Sequence, residues 1–229
     1  MPTLREFTNA ATLVSAATQH VARRLKEDLA SQTRAGLVVS GGRSPVPLFQ
    51  ALAKQALAWE RVAVTLADER WVAPDHPDSN EALVRRHLLR QRAAEAAFTP
   101  FWTGAATPEA AVPEVAVALE AFPRPFSLVV LGMGEDGHMA SLFPGAETLA
   151  EGLATEASVI AVRPPDAPHA RLSLTLRALL DSREILLLIS GAEKRRILER
   201  ALEAGSVETC PVRAILRQTE VPVTVFWAP

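Results

Sequence analysis

The feature that most constrains this chain is a repeated alternation: short continuous apolar runs, each followed by a segment of helical periodicity. Gly36–Val39, Val62–Leu66, Phe126–Leu131, Val159–Val162, Glu184–Ile189 and Val221–Trp227 read as strands, with Phe98–Trp102 as a further short one. An unbroken apolar run, rather than an alternating one, belongs to a strand covered on both faces. The intervening segments supply the cover. Thr8 or Asn9 can cap a helix over residues 9–32, whose Leu13, Ala17, Val21, Leu25 and Leu29 fall on one face. Pro45 and Pro47 suit the first turn of a helix reaching about Leu57, and Asn80–Leu89, Ala110–Phe122 and Glu193–Glu203 share the same pattern. Arg171–Leu180 reads as helical or turn-like. The expectation is an α/β fold: a doubly wound, mostly parallel sheet covered by helices on both faces. With no repeat and no linker-like segment, residues 1–229 are expected to form one domain.

Charge and hydropathy exclude several classes of function. A net charge of -2 gives no electrostatic reason to bind nucleic acid or an anionic membrane. The longest apolar runs fall far short of the roughly 20 residues that span a bilayer. The N-terminal residues Met1–Glu6 lack the apolar core of a secretory signal, so a cytoplasmic protein is expected. A single cysteine, Cys210, excludes an internal disulfide and any paired-cysteine redox or zinc motif. There is no tyrosine to serve as an acid.

The residues this chain uses sparingly are concentrated at the carboxyl ends of the expected strands, where sites form in such folds. Four segments stand out: Ser40-Gly41-Gly42-Arg43-Ser44-Pro45, Asp68-Glu69-Arg70-Trp71 with Ser79-Asn80, Gly132-Met133-Gly134-Glu135-Asp136-Gly137-His138, and Ser190-Gly191-Ala192-Glu193-Lys194. With Gly145 just beyond, they hold seven of the 11 glycines, and Lys194 is one of only three lysines against 21 arginines.

Each segment has a chemical reading and a plain one. The Ser40–Ser44 turn before a proline-started helix can offer N–H groups to an anion, or be an ordinary strand-to-helix connection. It lacks the spacing of a nucleoside-triphosphate loop. Lys194, in a helix first turn where a cation is unfavourable, makes sense beside an anionic ligand, though it can equally be a solvated lysine. Gly132–Gly137 matches GxGxxG, but Pro144 cuts the next helix after about one turn, and the next strand ends in Arg163-Pro164 without an acid for a ribose. His138 alone among five histidines comes after a strand-end glycine turn, with Asp136 two residues before it. That pattern suits a general base oriented by a carboxylate, or a capping residue. His20 and His87 fall on helices, His76 and His169 in proline-rich loops, and no HExxH or HxH spacing points to metal. Arg70 can bind an oxyanion or phosphate.

Taken together, these segments resemble the 6-phosphogluconolactonase family, whose pattern runs SGG-x-[ST]-P, then DER-x-V with SN, then LG-x-G-x-DGH-x-ASLFPG. The matching residues here are Ser40–Pro45, Asp68–Val72 with Ser79-Asn80, and Leu131–Gly145, with later agreement at Arg171–Thr175, Gly191–Lys194 and Pro211–Arg213. Met139 departs from the family, standing where a hydroxyl residue is common and removing a possible hydrogen bond near His138; Ser173 replaces a common Thr.

The resemblance implies the fold shared with glucosamine-6-phosphate deaminase and ribose-5-phosphate isomerase. It also implies hydrolysis of 6-phosphoglucono-1,5-lactone without metal or cofactor. His138, Asp136 and Arg70 are then the expected catalytic residues. Ser40, Gly41, Gly42, Arg43, Ser44, Arg171 and Lys194 would hold the phosphate, Asp68, Glu69 and Asn80 would contact sugar hydroxyls or brace the loop, and Gly132, Gly134 and Gly137 would shape the turn and offer N–H groups to the oxyanion. The expected partner is the small-molecule substrate alone, the acting unit a monomer or at most a weak dimer. Two other functions compete: an isomerase or deaminase of an amino-sugar phosphate, with Asp68 abstracting a proton, and a non-catalytic sugar-phosphate sensor.

Overall fold

The computed structural model describes all 229 residues. In chain order its first half contains β1 (Thr3–Glu6), α1 (Ala10–Ser31), β2 (Ala35–Val39), α2 (Val46–Leu52), β3 (Val62–Leu66), β4 (Asp68–Arg70), α3 (Asn80–His87), β5 (Ala97–Thr99) and α4 (Pro108–Glu120). The second half contains β6 (Leu128–Leu131), α5 (Leu149–Ala154), β7 (Val159–Val162), β8 (Arg171–Leu174), α6 (Leu176–Leu180), β9 (Ile185–Ser190), α7 (Ala192–Leu202), α8 (Arg213–Arg217) and β10 (Val223–Ala228).

Seven strands form one parallel sheet in the order β1-β10-β9-β6-β2-β3-β5. Every residue of β2, β3 and β6 is buried, as continuous apolar runs require of strands covered on both faces. α1 begins with a capping box: Asn9 Oδ1 accepts the Thr12 N–H at 3.0 Å, and Thr12 Oγ1 accepts the Asn9 N–H. Its stripe Leu13, Ala17, Val21, Leu25 and Leu29 is buried in the core. The chain leaves β2 for β3 on one side, then returns through β6 on the other side of β2. A crevice therefore opens between the carboxyl ends of β2 and β6, the usual ligand position in open α/β sheets. No helix is long and apolar enough to cross a membrane.

Several elements differ from the sequence expectation. α2 stops at Leu52 instead of running to Leu57, because the chain tightens: the Gln55 N–H donates to Leu52 O at 2.9 Å, and the Trp59 indole takes the Gln55 carbonyl at 3.0 Å. Arg171–Leu180 is not one helical segment. Arg171–Leu174 is a buried strand, and Thr175 then caps α6 by accepting the Ala178 N–H. Asp68–Arg70, expected as a charged exit from a strand, is itself a strand, and β4-β8-β7 form a second, antiparallel sheet. β1 has no apolar signature because all four of its residues are exposed, and it joins the sheet by backbone pairing to β10.

Candidate active site

The crevice is a cleft of about 270 Å3. Ser40, Gly41, Gly42, Arg43 and Ser44 from the β2 exit line it, with Asp68 and Arg70 from β4 and Asn80 from α3. Gly132, Gly134 and His138 from the β6 exit and Lys194 from α7 complete its polar wall. Four segments far apart in sequence therefore meet at one edge of the sheet.

His138 and Asp136 are directly paired at the β6 exit. Asp136 Oδ1 lies 2.6 Å from His138 Nδ1 and also accepts the His138 backbone N–H at 3.0 Å. Donation by the Nδ1 proton leaves Nε2 as the ring's lone-pair acceptor. Burial pushes the Asp136 carboxyl up, but the hydrogen bond and charge of His138 outweigh it and hold it below the usual carboxylate range. Phe143 packs against the imidazole, ring centroids 4.1 Å apart, and restricts its rotation. Gly134 is required where it stands: a Cβ would come within 2.1 Å of His138 Nδ1. Gly137, at φ +83, closes the turn in the left-handed region against Cys210.

The turn is self-bonded. The Gly134 N–H donates to His138 O, and the Gly137 N–H donates to Gly134 O. These two amides are spent, so the expected oxyanion role for the turn's backbone cannot fall to them. Lys194 Nζ donates to the Met133 carbonyl at 2.5 Å, tying α7 to the same turn. Burial pushes the Lys194 ammonium down, while Glu135 and Asp136 pull it back up.

On the other wall, Glu69 is fully buried and does not line the cleft. Its carboxylate accepts the backbone N–H groups of Arg70, Asn80 and Glu81, each at 2.7 Å, and the Ser79 hydroxyl at 3.2 Å. Burial pushes this carboxyl up to about 7, against the pull of those N–H bonds. Glu69 is thus a brace for the start of α3. Asn80 bonds the Asp68 carbonyl at 2.8 Å and packs so closely on Gly41 that a Cβ there would lie 1.7 Å from Asn80 Oδ1. Ser40 Oγ and Asn80 Oδ1 are buried without protein partners, polar atoms a bound ligand would satisfy. Arg70 donates to the Asp78 carbonyl from the cleft edge. Arg171 is not on the cleft wall; it is buried directly opposite Arg70 across β4 and β8. Its Nε and Nη1 have no acceptor, and burial together with the Arg70 charge pushes its guanidinium down.

The family model for glucosamine-6-phosphate isomerases/6-phosphogluconolactonase matches residues 8–227. The chain belongs to this family. A 6-phosphogluconolactonase of Pseudomonas putida is 40% identical over 228 residues, covering 99% of this chain and 93% of that protein. The crystal structure of a 6-phosphogluconolactonase from Shewanella baltica superposes with TM-score 0.99 at 42% identity, covering 100% of this chain and 98% of the other. A monomeric glucosamine-6-phosphate deaminase, at TM-score 0.81 and 19% identity over 99% of this chain and 97% of that one, shares the fold alone.

Within this 6-phosphogluconolactonase-like frame, sequence reasoning left three residues without a role. Ser141 donates to Asp68 Oδ2 at 2.6 Å, and the Ser141 N–H is accepted by Ser173 Oγ at 3.1 Å. The chain β8–Ser173–Ser141–Asp68 therefore fixes a cleft carboxylate from the second sheet. The signal available was the polar Ser141 inside an otherwise apolar run, but its partner lies across the fold. Phe143, which packs on the His138 ring, stood in the sequence only as part of the Leu131–Gly145 pattern. Met139, expected to matter beside His138, is fully buried in the apolar core, where a thioether packs well.

Proposed function

We propose that the chain hydrolyses 6-phosphoglucono-1,5-lactone to 6-phosphogluconate, the second step of the oxidative pentose phosphate pathway, with His138 as general base. The observation that carries the mechanism is the His138–Asp136 pair at 2.6 Å, on a cleft whose other polar groups include Arg70 and Lys194. Asp136 holds the imidazole in the tautomer whose Nε2 accepts a proton from a water attacking the C1 carbonyl. Arg70, with one N–H spent on Asp78, turns positive charge toward the oxyanion that forms. The imidazolium then returns its proton to the departing ring oxygen as the C1–O bond breaks. The open-chain carboxylic acid releases its proton to solvent and leaves as the carboxylate.

The 6-phosphate falls to Lys194 and to the Ser40–Ser44 segment on the cleft wall, and Arg171, buried off that wall behind Arg70, adds positive charge without contact. α2 is only seven residues long, so its dipole is weak and the fixed cations carry more of the attraction. A phosphorylated substrate does not cross a bilayer unaided, which supports a cytoplasmic setting for this work.

Asp68, held by Ser141 on the cleft wall, favours one competing reading, proton abstraction from an amino-sugar phosphate. The two are separated by measuring lactone hydrolysis above its spontaneous rate beside ammonia release from glucosamine 6-phosphate. Lactone turnover without ammonia is expected, and the reverse result would move the assignment to Asp68. His138→Ala should lower kcat by about 10² or more; undiminished turnover would remove His138 from the mechanism.

A further inference from the structure

His76 and His169 are remote in sequence, and neither belongs to a metal-binding spacing, yet the fold brings them together. His76 and Asp78 lie on the connection from β4 to α3, and His169 on the connection from β7 to β8. One ligand-capable atom of each lies within 4.8 Å of the other two. Asp78 Oδ2 is 3.0 Å from His169 Nε2 and 4.0 Å from His76 Nδ1, and the two imidazole rings meet edge to face with centroids 5.4 Å apart. None of the three lines the catalytic cleft.

We propose that His76, Asp78 and His169 bind a zinc-class divalent cation at the rim of the fold, with water completing the coordination. Tetrahedral zinc with nitrogen and oxygen ligands near 2 Å holds its ligand atoms about 3.3 Å apart. The Asp78–His169 separation already suits this, and the remaining closure needs only side-chain rotation of half-exposed rings. Two imidazoles with one carboxylate favour borderline metals such as zinc over magnesium or calcium, which prefer oxygen alone.

Two contacts oppose occupancy. His76 Nδ1 presently accepts the Asp78 backbone N–H at 3.1 Å, a bond exchanged for the metal if Nδ1 ligates. Arg70, bonded to the Asp78 carbonyl, places a positive charge nearby. The site should therefore be weaker than a closed four-ligand one. Occupancy would clip the two connections together and fix the carbonyl that positions Arg70. It would thus support the cleft from outside without entering the chemistry.

The test uses the full chain, stripped with chelator and titrated with zinc chloride, read by calorimetry and by the thermal midpoint. Zinc should bind and raise Tm in the wild type and in His138→Ala, and should do neither in His76→Ala or His169→Ala. His169→Gln replaces His169→Ala if the latter's metal-free Tm falls below that of the wild type. No shift in the wild type would overturn the proposal. So would a shift that survives loss of His76 and His169, one that vanishes with His138, or an equal shift with magnesium.

Discussion

Asp136 receives both bonds that His138 can direct at it: its Oδ1 takes the backbone N–H and, 2.6 Å away, the ring nitrogen Nδ1. A single carboxylate oxygen thereby fixes the main chain and the imidazole of the same residue. The left-handed Gly137 between them makes that turn possible, and Gly134 leaves room for the pair above it. The imidazole is thus oriented first by local sequence, over a span of three residues, while Phe143, the Val212 N–H donated to Gly137 O at 2.9 Å, and the Lys194 bond to Met133 O hold the turn from outside.

Asp136→Asn should therefore lower kcat by about 10² or more while leaving KM within a few-fold, because the amide no longer enforces the productive tautomer. Stability gives a second readout. The Asp136 pKa is depressed in the fold, so its contribution is present above the usual carboxylate value of 3.8 and is lost as pH falls through the lower folded value. The Tm difference between wild type and variant should be steady near neutrality and shrink below about pH 4. A gap that widens on acidification would contradict the pairing.

Gly134→Ala tests the space above the pair. The backbone there is ordinary, so the new methyl acts only by its clash, 2.1 Å from Nδ1 and 2.4 Å from Asp136 Oδ1. Turnover should drop by about tenfold or more through misorientation of the imidazole. At Gly132 a Cβ meets nothing within 4 Å, so alanine there intrudes on the cleft and should raise KM instead. Equal effects on kcat at the two positions would argue against this division.

What could be read in the sequence had a physical basis. Strands such as β2, β3 and β6 are buried on both faces, so their burial is written as unbroken apolar runs, and their glycine- and charge-rich exits announced the cleft. β1 pairs through its backbone with exposed side chains, so nothing in its residues marks it. β4 carries Asp68, Glu69 and Arg70, whose charges obscure a strand that is mostly buried because its partners lie in β8 and α3. Lys194 and His138 were legible as isolated polar residues at strand ends. The Ser141–Asp68 bond and the His76–Asp78–His169 cluster were not, because each joins residues remote in sequence.

Glu69 offers a test of bracing as distinct from catalysis. Its two oxygens meet four donors and no acceptor, so Glu69→Gln must turn an NH2 group toward an N–H or hydroxyl that also donates. The cost should be about 1–3 kcal/mol, measured by denaturant unfolding at pH 8. Asn80 rests on Gly41, so activity should decline through KM as the β2 exit loosens. A variant as stable as the wild type would show that α3 is anchored by other means.

Lys194 both lines the cleft and holds the Met133 carbonyl at 2.5 Å, so the proposed phosphate role and the support of the His138 turn meet in one ammonium. Lys194→Met keeps the length of the side chain and removes the charge. KM should rise by about tenfold, the scale of one lost charge-assisted contact, with a smaller fall in kcat from the loosened turn. Added salt should raise KM more in the wild type than in the variant, because the screened attraction is already missing from the latter. If instead KM is unchanged and only kcat falls, the lysine serves the turn, and the phosphate is left to Arg70 and the Ser40–Ser44 loop.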